Sequence, residues 1–105
     1  MRLTSFLQSS ELTIILKGEI DHHTAKEYIL EITSKLEAYL PKSCVLDFQD
    51  VTFMDSSGIA VVINALRHMS RMDGVLYISG LCEQPRKVFC AAGIDKLVKI
   101  KEAIF

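Results

Sequence analysis

The apolar and polar positions of the chain change period several times, and these changes predict strands that alternate with helices. Two strand-like runs, Leu3 to Leu7 and Leu12 to Leu16, are separated by a short polar break. This arrangement predicts an antiparallel hairpin at the start of the chain. Lys17-Gly18-Glu19 is expected to end the second strand.

The first predicted helix follows the hairpin and has a single apolar face. Its apolar residues recur with the spacing of one helical face: Ala25, Tyr28, Ile29, Ile32 and Leu36. Asp21 lies just before the helix and is expected to cap its N-terminus. Pro41 is expected to end it, because the residue before a proline disfavours the helical conformation.

A second strand and helix come next. Cys44 to Phe48 is an apolar run of strand length, and the segment from Gln49 to Gly58 is expected to form the loop after it. The helix that follows is apolar around most of its circumference, and its polar side consists only of Ser57, Asn64, Arg67, His68 and Arg71. Such a helix is expected to pack on a sheet and also against another element.

The last third of the chain continues the same alternation. Val75 to Ser79 predicts a buried strand, Pro85 is placed at the first position of a third helix, and Gly93 is placed just past its end. Leu97 to Ile100 predicts the last strand, and the last five residues predict a helical turn. The order β-β-α-β-α-β-α-β predicts an α/β fold: a mostly parallel sheet of four to five strands with an N-terminal hairpin and helices packed on it.

Composition places the whole chain, residues 1–105, in one globular domain. Of the 105 residues, 50% are hydrophobic and 24% are charged, which is typical of a folded chain. The formal net charge is −1, so nothing in the charge balance favours binding to nucleic acid or to an anionic membrane. The longest apolar run, Ile59 to Ile63, is too short to span a bilayer, and the N-terminus does not resemble a signal peptide. A cytoplasmic location is therefore expected.

The cysteines indicate no metal or redox site. Cys44, Cys82 and Cys90 match neither the spacing of a zinc site nor a C-x-x-C motif. All three are expected to be small, buried core residues in a reducing compartment. We therefore expect no metal and no cofactor.

The residues best placed for chemistry lie in two segments that follow strands. Partners of parallel sheets favour the carboxyl ends of the strands, where the segments Gly18 to Thr24 and Gln49 to Gly58 emerge. A helix N-terminus also favours a negative group, and Gly58 is expected to let another molecule approach the backbone closely. A simpler interpretation stays open, in which Asp55 or Ser56 is only an N-cap.

These residues do not predict an enzyme. A nucleophile elbow of the G-x-S-x-G type is absent because Met54 occupies the first glycine position, and no P-loop occurs. None of the histidines has the spacing of a catalytic base or of a metal site: His22, His23 and His68. His22 and His23 are interpreted as exposed residues of a first helical turn, with contact to a partner as the alternative.

The chain resembles STAS domains, the sulfate-transporter and anti-sigma-factor-antagonist family, in two stretches: Gly18-Glu19-Ile20-Asp21-His22-His23-Thr24-Ala25 and Val51-Thr52-Phe53-Met54-Asp55-Ser56-Ser57-Gly58-Ile59. The resemblance covers nearly the whole chain, with the same order of elements. The second stretch is similar to the antagonist branch of the family, and the first is similar to its sporulation type.

The resemblance implies a STAS fold and a bacterial anti-sigma factor antagonist of sporulation. The unphosphorylated form would bind an anti-sigma factor, itself a serine kinase that uses Mg-ATP, and release the sigma factor that this kinase holds. Phosphorylation of Ser56 would abolish the binding, and a serine phosphatase would restore it. Ser57, one residue along, is the competing acceptor.

The same resemblance suggests where a partner would bind. The partner surface is expected to include Asp21, His22, Asp55, Ser57, Gly58, Ile59, Asn64 and Arg67. One phosphate would exceed the net charge of the domain and dominate the local potential there. The alternative function is a STAS-like adaptor without phosphorylation, in a transport or lipid-trafficking assembly, which the broad apolar second helix suggests.

Overall fold

The computed structural model describes residues 3–101 as one five-stranded sheet with three helices on it. The strands are β1 Thr4–Gln8, β2 Glu11–Ile20, β3 Ser43–Met54, β4 Val75–Ser79 and β5 Lys99–Lys101. The helices are α1 His22–Tyr39, α2 Ser56–Arg71 and α3 Glu83–Ala92, followed by a short 3₁₀ turn, Ile94–Lys96. The sheet order follows the chain, with β1 antiparallel to β2 and the other pairs parallel. The predicted α/β fold with an N-terminal hairpin is confirmed.

The helices bury one face of the sheet. Alternate residues of β2 and β3, paired as Leu12 with Cys44 and Ile14 with Leu46, point into a single core together with the apolar residues of all three helices. In α2 the buried positions surround most of the helix, and α2 packs against both α1 and α3. The prediction that this helix packs on a sheet and on another element is confirmed.

The second strand is longer than predicted. It runs through Lys17 and Glu19 to Ile20, and its pairing with β3 shifts register twice, each time with one extra residue on the β3 side, so the pairing is interrupted without ending. Gly18 adopts φ +83° at this irregular stretch, a conformation that glycine reaches without steric cost. The hydroxyl of Tyr28 donates to the carbonyl oxygen of Lys17 at 2.8 Å, so a helix side chain supplies a hydrogen bond to the β2 backbone at this irregular stretch.

The third strand is also longer than predicted. The segment from Gln49 to Met54 was expected to be loop, but it continues β3 and pairs with β2 as far as Met54 opposite Ile20. β4 pairs with β3 only as far as Asp47 opposite Ser79. Within the part of the chain that the structure describes, the far end of β3 therefore has a strand neighbour on one side only.

The starts of the last helix and the last strand differ by two residues from their predicted places. The third helix begins at Glu83, so Pro85 is its third residue and not its first, while Gly93 ends it in a left-handed conformation as predicted. A 3₁₀ turn precedes β5, which therefore spans Lys99–Lys101 instead of beginning at Leu97. Of the predicted C-terminal helical turn, Lys101 lies in β5 and the rest lies outside the described residues.

The cysteines were predicted to be buried, and this is correct only for Cys44. Burial raises the pKa of the Cys44 thiol to about 12, so it stays protonated and packs as an apolar residue. Cys82 is exposed at the N-cap of α3, and Cys90 is exposed on α3 because the amphipathic period of that helix turns it outward. In the described part of the chain, no helix is both long and apolar enough to cross a membrane.

Replacing Gly80 by Ala is expected to destabilise the domain by about 3 kcal/mol, from left-handed strain and an overlap with backbone. Gly80 has φ +71°, and an added Cβ would lie 2.8 Å from the backbone nitrogen of Gln49. Gly93 is the matched control, since it has φ +74° and open space around it, and Gly93→Ala should cost about 1 kcal/mol. Urea denaturation measures both; equal losses would show that the overlap at Gly80 has no energetic weight.

Candidate functional site

The two segments singled out in the sequence meet at one edge of the sheet. β2 and β3 are parallel and end at the same level, with Ile20 paired to Met54. The next residues, Asp21 and Asp55, therefore lie side by side, and the Asp55 N–H donates to the Ile20 carbonyl oxygen at 3.2 Å. Helices α1 and α2 both begin here, which places two helix N-termini next to each other at the carboxyl edge.

Asp21 forms the predicted N-cap of α1. Its carboxylate accepts the backbone N–H groups of His23 at 3.0 Å and Thr24 at 2.9 Å. The Thr24 hydroxyl in turn accepts the Asp21 N–H at 3.0 Å, which completes a capping box. His22 is the first residue of α1 and is exposed beside this cap.

The stability of the α1 cap is expected to depend on pH in the acid range. The hydrogen bond from the Thr24 N–H lowers the pKa of Asp21 below its ordinary value of 3.8. The Thr24 hydroxyl and His23 lower this pKa further by smaller amounts. A lowered carboxyl pKa stabilises the fold above the unfolded-state pKa, and this stabilisation is lost as the pH falls through the folded-state value. In Asp21→Asn, the midpoint of urea denaturation should therefore fall less steeply at acid pH than in the wild type. An equally steep fall of the midpoint in both proteins would contradict this prediction.

Asp55 forms the N-cap of α2 in the same way. Its carboxylate accepts the Ser57 N–H at 2.7 Å. Ser56 is the first residue of the helix and is exposed, and its hydroxyl has no hydrogen-bond partner among residues 3–101. The sequence left either Asp55 or Ser56 as the N-cap of α2, and in the structure the cap is Asp55. Ser56 therefore has no capping role, and its hydroxyl faces solvent at the positive end of the helix dipole.

Two predicted site residues face the interior. Gly58 is buried, and a Cβ there would lie 2.6 Å from Cε of Met54. The space that was expected to admit another molecule is therefore filled from within by Met54, and the close approach at this glycine is part of the core packing. Ile59 is 9% exposed and joins the same core.

Asn64 and Arg67 lie farther along α2. At 1.5 Å per residue they stand roughly 12 Å and 16 Å from Ser56 along the helix axis. The side-chain amide of Asn64 donates to the Thr33 hydroxyl of α1 at 2.9 Å and fixes the contact between the two helices. Arg67 is exposed. The structure thus places Ser57 and Asp55 beside Ser56, whereas Asn64 is engaged in helix packing.

A groove that the sequence did not predict runs from Ser56 to α3. It measures about 420 Å³ and is lined by Ser56, Ile59, Lys87, Val88, Ala91 and Ala92. The lining is mostly apolar, and Lys87 is paired with Glu83 at 3.4 Å on the exposed side of α3. Among the described residues, no cluster of side chains has the composition of a metal site.

Comparison with known proteins identifies the family. A family model described as STAS domain matches residues 7–104. An anti-sigma-B factor antagonist from Listeria monocytogenes is 27% identical over 96 residues, which cover 89% of this chain and 81% of that protein. An anti-sigma F factor antagonist from Paenibacillus polymyxa is 24% identical over 89 residues, which cover 85% of this chain and 76% of that protein.

Solved structures show the same fold. The anti-sigma factor antagonist SpoIIAA in its unphosphorylated form matches with a TM-score of 0.74 and 22% identity, over 97% of this chain and 89% of that one. SpoIIAA from Bacillus in its phosphorylated form matches with a TM-score of 0.75 and 23% identity, over 97% of this chain and 91% of that one. With the sheet order, the paired helix N-termini and a family match over almost its whole length, the chain belongs to the STAS domain family.

Proposed function

We propose that this STAS domain is an anti-sigma factor antagonist that phosphorylation of Ser56 switches off. The observation that carries the proposal is the exposed, unbonded hydroxyl of Ser56 at the start of α2. Proteins of this family that resemble the chain are named as antagonists of anti-sigma-B and anti-sigma F factors. The unphosphorylated form binds an anti-sigma factor, which is also a serine kinase using Mg-ATP, and thereby frees its sigma factor.

The position of Ser56 explains how a phosphate could act without unfolding the domain. The phosphate adds about −1.5 to −2 charge, more than the net charge of −1 carried by the whole chain. The positive end of α2 favours this charge, and the core beneath it is unaffected because Ser56 faces solvent. The Ser57 N–H already donates a hydrogen bond to the Asp55 carboxylate, so the phosphate projects outward. The switch therefore acts by charge and bulk at the surface.

The partner surface that we propose combines the two helix starts with the neighbouring groove. Asp21 and His22 flank Ser56 on the α1 side, and the groove of Ile59 and Val88 lies on the α3 side. A kinase bound here covers apolar surface and brings its nucleotide to the Ser56 hydroxyl. Once phosphorylated, Ser56 places a double negative charge at the edge of this contact, which opposes rebinding.

Regulation then requires a cycle of modification. A serine phosphatase restores the binding form, and the domain itself catalyses no reaction. We place the cycle in the bacterial cytoplasm, where the sigma factor works. We further propose that it controls sporulation, because the stretch from Asp21 to Ala25 is of the sporulation type and an anti-sigma F factor antagonist is among the relatives.

A release assay tests the proposed function. The anti-sigma factor encoded with this protein is loaded with its sigma factor, and increasing amounts of the unphosphorylated domain are added. We expect stoichiometric release of the sigma factor, seen by size-exclusion chromatography, and no release after preincubation with the kinase and Mg-ATP. Retention of the sigma factor at every ratio would overturn the proposal.

The adaptor alternative receives no support from the structure. It was suggested by the broad apolar circumference of α2, but most of those side chains are buried against the sheet and the other helices: Val61, Val62, Ala65 and Met69. They are therefore not available for a membrane transporter. Co-purification with a permease in place of a kinase remains the result that would favour it.

A further inference from the structure

Among residues 3–101, the end of β3 that leads into Ser56 lacks a neighbouring strand on one side. β4 stops at Ser79, opposite Asp47, while β3 continues to Met54. In a strand, successive backbone groups point to opposite sides. Asp55 donates its N–H toward β2, to the Ile20 carbonyl oxygen, so the N–H and carbonyl of Met54 point to the side that β4 has left.

One side chain occupies that vacant place. Gln84, the second residue of α3, accepts the Met54 N–H on Oε1 at 2.9 Å and donates Nε2–H to the Met54 carbonyl oxygen at 2.9 Å. Its amide thereby makes the two hydrogen bonds that a neighbouring strand would make. Only a side-chain amide offers a donor and an acceptor in this arrangement at neutral pH, so the residue type at this position matches the task.

We infer that Gln84 is a positioning residue for the phosphoacceptor: it holds Met54 so that Ser56, two residues later, is presented to the kinase in a fixed orientation. The inference rests on the proposed function. The junction is fixed from both sides, by Ile20 through the Asp55 N–H and by Gln84 through Met54. Because the Met54 side chain is fully buried against Gly58, a shift of this backbone also moves the start of α2.

Positioning of an acceptor affects the rate of transfer more than the binding of the protein. The hydroxyl must reach the γ-phosphate in line, and loss of a fixed geometry lowers the fraction of bound molecules that are competent to react. Gln84 is half-buried between α3 and β3, and it is not among the residues that line the groove beside Ser56. Its loss should therefore appear in kcat and leave KM nearly unchanged.

The test compares Gln84→Met with the wild type as substrates of the cognate kinase. Methionine has a similar length but makes neither hydrogen bond. We expect kcat for phosphorylation of Ser56 to fall about tenfold, with KM within about twofold. Gln8→Met, the same chemical change at an exposed position of β1, is the control and should have wild-type kinetics. Gln84→Glu keeps the acceptor but turns a carboxylate oxygen toward the Met54 carbonyl oxygen, so its loss should be at least as large as that of Gln84→Met.

A second readout requires no kinase and separates this inference from the proposed function. Amide hydrogen exchange at Met54 should be about tenfold faster in Gln84→Met, while exchange at Ile32 in α1 stays as in the wild type. An unchanged kcat, or unchanged exchange at Met54, would overturn the positioning role. If the wild-type domain is not phosphorylated at all, the proposed function fails, and the exchange of Met54 still decides whether Gln84 holds this backbone.

Discussion

Ser56→Asp is expected to weaken binding to the anti-sigma factor by at least about 100-fold, equivalent to about 2.8 kcal/mol. The substitution places one permanent negative charge where phosphorylation would place a double one. Burying an unpaired charge in an interface costs about 2–5 kcal/mol, which sets the scale of the effect. The variant should remain folded, because a carboxylate in the first turn of α2 interacts favourably with the helix dipole and the Asp55 cap stays in place.

Ser34→Asp is the matched control for this charge. Ser34 is an exposed residue of α1, and its replacement changes the net charge of the domain by the same amount as Ser56→Asp. Isothermal titration with the purified anti-sigma factor should show wild-type affinity for the control and a large loss for Ser56→Asp. Equal affinities for the two variants would mean that Ser56 lies outside the contact surface.

Phe89→Ala is expected to destabilise the domain by about 3–5 kcal/mol, the largest change in folding stability that we predict for a single side chain. Phe89 is fully buried and fastens α3 to the sheet. Its ring meets that of Phe48 on β3 edge to face, with centroids 5.4 Å apart and planes at 83°. Removal leaves a cavity and also ends an aromatic contact worth about 0.5–1.5 kcal/mol.

Urea denaturation measures this loss directly. Small domains are stable by about 5–15 kcal/mol, so Phe89→Ala should remove a large fraction of the free energy of unfolding. Leu97→Ala is the control, because Leu97 is 62% exposed and its truncation should change stability by less than about 0.5 kcal/mol. A loss below about 2 kcal/mol at Phe89 would show that α3 is held mainly by other contacts.

Local sequence patterns predicted those helices and strands that are encoded by their own residues. The cap at Asp21 and the apolar face of α1 are encoded by neighbouring residues, and the structure confirms both. β3 was predicted too short because Gln49 and Asp50 are polar. In the structure these residues are exposed on a part of the strand that no β4 residue covers, so polarity and strand structure are compatible there.

The position of the site follows from the order of strands and helices and was predictable from the sequence. The side-chain contacts within it join residues far apart in the chain and were not predictable. The carboxyl ends of parallel strands meet at one edge of the sheet, and this rule correctly predicted that the segments containing Asp21 and Asp55 lie at the same edge. Sequence patterns did not show that Met54 fills the space at Gly58, nor that Asn64 is paired with α1. Gln84 escaped detection because its two hydrogen bonds join residues far apart in the chain.

The central claim is that Ser56 is the phosphoacceptor, and site mapping by mass spectrometry tests it most directly. The domain, Ser56→Ala and Ser57→Ala are each incubated with the cognate anti-sigma kinase and Mg-ATP. We expect one phosphate on the wild type and on Ser57→Ala, located at Ser56, and none on Ser56→Ala. Since Asp55 and not Ser56 caps α2, Ser56→Ala should keep its stability, so a missing phosphate reports the site itself. A phosphate gained by Ser56→Ala, or none gained by the wild type, would contradict the claim.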